Sequence, residues 1–142
     1  ILPLLTLFFK LGLGAQFGNG QQPFPWVHLN DMVNFAIRAV DNTVLSGLYN
    51  IVAPGIVSNQ HFTRLFAEKL NRPANWVIPP WLIKAIIGEE RSSILLLGQQ
   101  VKPKRTLASG YQFEFSDLSS ALDDIICATA SLQQANQTAI RG

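Results

Sequence analysis

Gly18-Asn-Gly-Gln-Gln-Pro-Phe-Pro-Trp-Val-His-Leu-Asn-Asp31 is the stretch that decides the fold. Gly18 and Gly20 give the backbone freedom a tight loop needs, and Pro23 and Pro25 keep its exit extended. Trp26-Val-His-Leu29 then carries the aromatic and β-branched character of a strand. Asn30 is a good N-cap, and Asp31 is well placed on the positive end of a helix dipole. Loop, strand and capped helix in succession make one unit of an α/β domain.

Upstream, Leu2, Leu5, Phe9 and Leu13 recur at near-helical spacing, and Leu4, Phe8 and Leu11 broaden the apolar face until it nearly encircles the segment. Lys10 interrupts the run, a basic leader and a small-residue cleavage site are missing, and the length falls short of the roughly 20 apolar residues of a membrane span. The expectation is a buried helix whose packing partner lies further upstream. A start at Ile1, with the one methionine, Met32, inside a helix, points to a piece of a longer protein. Gly12, Gly14, Gly18 and Gly20 are expected to form a loop after this helix.

Downstream, Val33, Ala36, Ile37 and Val40 fall on one face of a helix ended by Asp41-Asn42. Leu48 to Val52 reads as a short strand closed by Ala53-Pro-Gly55. Ser58 then caps a helix bearing Phe62, Leu65, Phe66 and Leu70, which Asn71-Arg-Pro73 stops. Trp76-Val-Ile78 is a further strand, Pro80 opens a helix through Ile83, Ile86 and Ile87, and Gly88 separates it from a buried helical segment over Glu89 to Leu97. Lys104 to Ser109 makes a further helical turn, and Tyr111, Phe113 and Phe115 alternate with polar residues as a half-buried strand does. The last helix starts at Ser116-Asp117 and carries Leu118, Ala121, Leu122, Ile125 and Ile126. From Ala128 the apolar period fades, so residues 1–127 are expected as one unit and 128–142 as a polar tail.

With 142 residues and 48% hydrophobic content, the chain can fill one ordinary core. Charged residues are only 14% and the net charge is +2, with basic residues scattered except at Lys102, Lys104 and Arg105, which argues against nucleic acid as a partner. The single cysteine, Cys127, rules out an internal disulfide and favours a reducing compartment, the cytoplasm or an organellar matrix; its place in an apolar helix suggests a small core residue.

Enzyme signatures are absent. No Gly-x-Gly-x-x-Gly follows a strand and opens a helix, and neither Tyr49 nor Tyr111 has a lysine four residues on. His28 and His61 have no cysteine or carboxylate at metal-ligand spacing, so no metal is expected. Candidates for ligand contact remain. Gln21 and Gln22 on the glycine loop can donate and accept without charge. Trp26 could stack on a planar ligand, and His28 could orient one or move a proton; the simpler readings are core packing for Trp26 and a histidine satisfied by a backbone group for His28. Lys102, Lys104 and Arg105 could hold an anionic group, or simply be a solvated helix start, as Glu89 and Glu90 are expected to be.

Gly18-Asn-Gly-Gln-Gln22 followed by Pro25-Trp-Val-His-Leu-Asn-Asp31 resembles the Gly-x-Gly-x-Gln loop and the Pro-Trp-[Ile/Val]-His-[Ile/Leu]-Asp-Asp run of an atypical extended short-chain dehydrogenase/reductase, of the NAD-dependent epimerase/dehydratase-like type. Leu48-Tyr-Asn-Ile-Val-Ala-Pro54, Phe62-Thr-Arg64, Arg72-Pro73, Gly98-Gln-Gln-Val-Lys-Pro-Lys104, Gly110-Tyr-Gln-Phe-Glu-Phe115, Asp117-Leu118 and Ala121-Leu122 follow that family's C-terminal, DUF1731-type module in order. Asn30 replaces the first Asp of the run, and Gln21 stands where a basic residue is common. The resemblance implies an α/β fold that is the C-terminal, substrate-binding portion of a Rossmann-type protein. NAD or NADP and a Tyr-x-x-x-Lys pair would belong to the N-terminal Rossmann half, and the fragment itself is expected to bind no cofactor. It also implies a small-molecule substrate such as a nucleotide sugar, with Gln22, and Gln21 beside it, as first contacts. The other reading is a non-catalytic, cell-division-associated protein that keeps the fold for interactions. The apolar first helix predicts that an isolated fragment self-associates or needs its missing half.

Overall fold

The computed structural model describes residues 6, 9–10, 14–41, 45–74 and 76–140. Of the expected first helix, Thr6, Phe9 and Lys10 are helical and Phe9 is buried; Leu2, Leu4, Leu5, Phe8, Leu11 and Leu13 lie outside the described residues.

Ten elements follow: β1 (Ala15–Phe17), β2 (Pro23–Phe24), α1 (Leu29–Asp41), β3 (Val57–Ser58), α2 (Asn59–Lys69), β4 (Trp76–Ile78), α3 (Pro80–Ile87), α4 (Glu89–Leu97), α5 (Lys104–Ala108) and α6 (Leu118–Ile140). β1 pairs in parallel with β4, Gln16 opposite Val77, and β2 pairs antiparallel with β3, Pro23 opposite Ser58. The core is built where α2 crosses α6: Phe9, Phe62, Phe66, Ala67, Leu118 and Leu122 pack together, and Phe66 is fully enclosed.

The helices of the second half start and stop where the local chemistry directs. The Ser58 hydroxyl accepts the His61 N–H at 3.2 Å, capping α2. At its other end Asn71 takes a positive φ of 52°, and the Arg72 N–H turns back to the Ala67 carbonyl at 2.9 Å. Pro80 sits in the first turn of α3, Gly88 ends it with a φ of 85°, and the Asp117 carboxylate accepts the Ser120 N–H at 3.1 Å to start α6.

Several expectations give way. Ala15–Phe17 is a strand inside the glycine-rich stretch, because β4 lies alongside to take its ladder bonds. Trp26 to His28 is in no ladder: one backbone bond, Ala53 N–H to the Trp26 carbonyl at 2.7 Å, joins it to the segment ahead of Pro54. Leu48 to Val52 is likewise no strand, since the Ser46, Leu48 and Asn50 carbonyls are claimed by the side chains of Arg105 and Thr106. Tyr111 to Phe115 does not pair either; a side chain, Asp31, takes the Glu114 and Phe115 N–H groups. Leu97 is 76% exposed where a buried segment is expected. Cys127 is exposed, lying off the stripe of Leu118, Ala121 and Leu122 that packs on α2. The helix α6 runs on to Ile140: its alanines and glutamines keep helix propensity after the apolar period ends.

The apolar face of α1 is the largest departure. Asp31, Phe35 and Arg38 turn inward, whereas Leu29, Met32, Val33, Ile37 and Val40 are 47–83% exposed. Val33, Ile37 and Val40 do share a face, as their spacing requires, but among the described residues nothing covers it.

Candidate functional site

The glycine loop is seated on the N-terminus of α2. The Asn59 N–H donates to the Gln22 carbonyl at 3.0 Å and the Gln60 N–H to the Gly20 carbonyl at 2.8 Å, while the buried Asn59 amide oxygen accepts the Phe17 N–H at 2.9 Å. With Ser58 on His61, the first three N–H groups of α2 are therefore spoken for. A dinucleotide pyrophosphate, which needs such groups open behind a glycine turn, does not fit this loop. Gly20, at φ 72°, must be glycine for a second reason: a Cβ there would stand 2.8 Å from the Gln60 Cβ.

The four contact candidates separate into three places. Gln21 is exposed, and its amide nitrogen donates to the Gln60 amide oxygen at 3.1 Å. Gln60 in turn lines an open cleft of about 530 Å³ between α2 and the β1–β4 pair, with Gln16, Arg64, Arg72 and Trp76. Gln22 points the other way: it is buried, and its amide nitrogen donates to the Phe17 carbonyl at 3.0 Å, bracing the loop. Trp26 and His28 come together on a smaller, mainly apolar cavity of about 210 Å³ walled by Phe62, Leu118 and Ile125.

His28 is 4% exposed and committed at both ring nitrogens. Nδ1 accepts the Asn30 N–H at 3.3 Å, making His28, not Asn30, the residue that caps α1; the helix accordingly begins at Leu29 and not at Asp31. Nδ1 as acceptor places the proton of the neutral ring on Nε2, which faces the Asp124 carboxylate at 3.3 Å. Phe115 covers the ring at 3.9 Å between centroids. The contact between His28 and Asp124 ties the start of α1 to α6. The Trp26 indole N–H donates to the Gly55 carbonyl at 2.8 Å, and its ring packs on the Phe62–Leu122 core.

Of the basic trio, Arg105 is structural: its guanidinium forks onto the Leu48 and Ser46 carbonyls, both at 2.9 Å, and lies 4.7 Å from the Tyr49 ring centre. Sequence reasoning passed over Asp31 as a bonding group. It is fully buried, one oxygen accepting the Glu114 N–H at 2.7 Å and the other the Phe115 N–H at 3.0 Å. Tyr111 donates to the Asp31 carbonyl at 2.8 Å, and burial together with the Asp31 charge pushes its hydroxyl up to about 12. Arg64 and Arg72 were also missed; only the fold brings them together. Among the described residues, no group of three His, Cys, Asp or Glu side chains could hold a metal, and no helix is long and apolar enough to cross a membrane.

A glycine loop clamped on a helix, a His-x-x-Asp helix start and a mixed set of short strands and helices define a C-terminal portion of a short-chain dehydrogenase/reductase. Residues 78–125 match the family described as "Domain of unknown function (DUF1731)". The epimerase family protein SDR39U1 of Bos taurus is 40% identical over 123 residues, covering 86% of this chain and 42% of that protein. The epimerase family protein YfhF of Bacillus subtilis is 34% identical over 125 residues, 88% of this chain and 41% of that one. The crystal structure of human epimerase family protein SDR39U1 (isoform2) with NADPH superposes with a TM-score of 0.83 at 39% identity, over 87% of this chain and 42% of that chain. The chain thus spans less than half the length of these relatives. Over these residues it matches a C-terminal portion of an extended short-chain dehydrogenase/reductase of the epimerase family.

Proposed function

We propose that this chain is the substrate-binding portion of an NAD(P)-dependent epimerase- or reductase-type protein, whose cofactor is held by a Rossmann half outside these residues. The observation that carries the reading is the open face of α1. Five large apolar side chains, from Leu29 to Val40, are 47–83% exposed on one helix and among the described residues are left uncovered, although the same helix is anchored through Asp31 and Phe35. A soluble domain seldom leaves such a stripe uncovered unless another body packs there. The first N–H groups of α2, behind the glycine loop, are all taken, which agrees with a cofactor bound elsewhere; the human relative was crystallised with NADPH. The substrate in this reading is a small molecule of the nucleotide-sugar class, met first by the exposed Gln21, with the buried Gln22 bracing the loop from inside and Trp26 and His28 lining a separate cavity. Hydride transfer is not carried by these residues alone.

Calorimetry with NADPH and NADH, on this chain and on the native protein from its own start codon, tests the reading. Binding only by the native protein is the expected result. Binding by this chain alone, or by neither, overturns it.

A further inference from the structure

We propose that the cleft between α2 and the β1–β4 pair is a binding site for a phosphorylated small molecule, with Arg64 and Arg72 on the phosphoryl oxygens and the Trp76 ring as one wall. The inference stands on the cleft itself and does not depend on where a cofactor binds.

The case begins with what the cations of this chain are doing. Lys69 is paired with Asp123 and Lys84 with Glu89; Arg38 donates to the Ser109 carbonyl and Arg105 to those of Ser46 and Leu48. Lys10, Lys102, Lys104, Arg64 and Arg72 have no such partner among the described residues, and of these Arg64 and Arg72 stand together on one cavity. Among the described residues neither guanidinium has a hydrogen bond or an ion pair, yet both line the same cavity. One carboxylate, Glu68, shares that wall, so the cavity keeps a positive excess. Two guanidiniums suit a dianion, each able to fork onto a pair of oxygens, and a phosphoryl group is the common dianion of that geometry.

Placement is not left to chance. Arg64 rides on the rigid α2, one helical turn before Glu68. Arg72 is set by the positive-φ turn at Asn71 and by its own N–H on the Ala67 carbonyl. Trp76 is fixed in β4 opposite Ala15 but is 65% exposed, an indole face that a bound ring or sugar would cover. Gln16 and Gln60 add neutral amides to the lining, and Gln21 reaches the cleft through Gln60. About 530 Å³ is an ordinary volume for a small-molecule site.

Inorganic pyrophosphate, titrated by calorimetry into the native protein saturated with NADPH, is the test. Arg64→Gln and Arg72→Gln are each expected to weaken it about tenfold or more, and Lys104→Gln, which removes an equal charge outside the cleft, by less than about twofold. Trp76→Phe should abolish the tryptophan fluorescence change on binding while leaving pyrophosphate affinity within about threefold. Arg64 and Arg72 are exposed, and unchanged melting temperatures will separate lost binding from lost folding. The assignment falls if no heat is seen up to about 10 mM, a concentration at which a charge-assisted fork should register. It falls equally if Lys104→Gln weakens binding as much as Arg64→Gln, or if the pyrophosphate bound without NADPH is displaced by it and insensitive to Arg64→Gln.

Discussion

The Asp31 carboxylate accepts the backbone N–H of Glu114 at 2.7 Å, across 83 residues of sequence. With the Phe115 N–H on its other oxygen and the Tyr111 hydroxyl beside it, this buried charge does for residues 111–115 what a neighbouring strand would otherwise do. Asp31→Asn should therefore be far from conservative. An amide NH₂ would face a backbone donor, so one buried N–H loses its acceptor, and a loss of roughly 2–4 kcal/mol is expected in urea unfolding. A loss below about 0.5 kcal/mol would mean that the carboxylate is not the anchor described.

Tyr111 makes the same anchor sensitive to alkali. Its hydroxyl, pushed up to about 12, keeps its proton in the folded chain through a range where the unfolded chain, near 10, has lost it. The unfolded state then binds fewer protons, so stability is whole below pH 10 and falls between pH 10 and 12, by up to about 1.4 kcal/mol per pH unit. Tyr111→Phe should abolish this alkaline slope while lowering stability at neutral pH, because the hydrogen bond to Asp31 is lost. Unfolding curves at pH 7, 10 and 11 on both proteins decide the matter.

Two glycines with the same backbone sign separate conformation from contact. Gly88, at φ 85°, has nothing within 4 Å of where a Cβ would stand; Gly98, at φ 66°, would place one 2.6 Å from the Pro23 carbonyl oxygen. Gly88→Ala should cost about 1 kcal/mol, the strain of a positive φ alone. Gly98→Ala must also push apart the contact between the 98–103 connection and the glycine loop, and should cost at least about 2 kcal/mol. Equal melting temperatures for the two variants would show that Gly98 is not a close-approach glycine.

How much of this was legible beforehand depends on which interaction fixes each element. Helices ended by their own side chains and turns were readable: Ser58, Asn71, Pro80, Gly88 and Asp117 act within a few residues, and the structure places α2, α3, α4 and the start of α6 accordingly. The expected strands at Trp26, Leu48 and Tyr111 were not, because a strand exists only where a partner donates and accepts: Trp26 finds one such bond, from Ala53, and at the other two Arg105, Thr106 and Asp31 took those groups instead. Alternation at Tyr111, Phe113 and Phe115 reported burial on one side, which is correct for Tyr111, but not pairing. The candidate site was half legible. The loop glutamines and His28 stand out by residue type, whereas Arg64, Arg72 and Trp76 meet only because β4 returns beside β1. No short-range signal could have joined them.

The open face of α1 gives the last prediction, and it reads differently in two proteins. Val33, Ile37 and Val40 are 47%, 56% and 83% exposed, so Val33→Lys or Ile37→Lys should alter the stability of this chain by less than about 0.5 kcal/mol and reduce its self-association. In the native protein, where we expect a Rossmann half against that face, the same lysine would be a buried charge without a partner, costing several kcal/mol. Paired melting curves and sedimentation on both forms make the comparison. If lysine is tolerated equally in the two, α1 faces solvent in the whole protein, and the observation that carries the proposed function is lost.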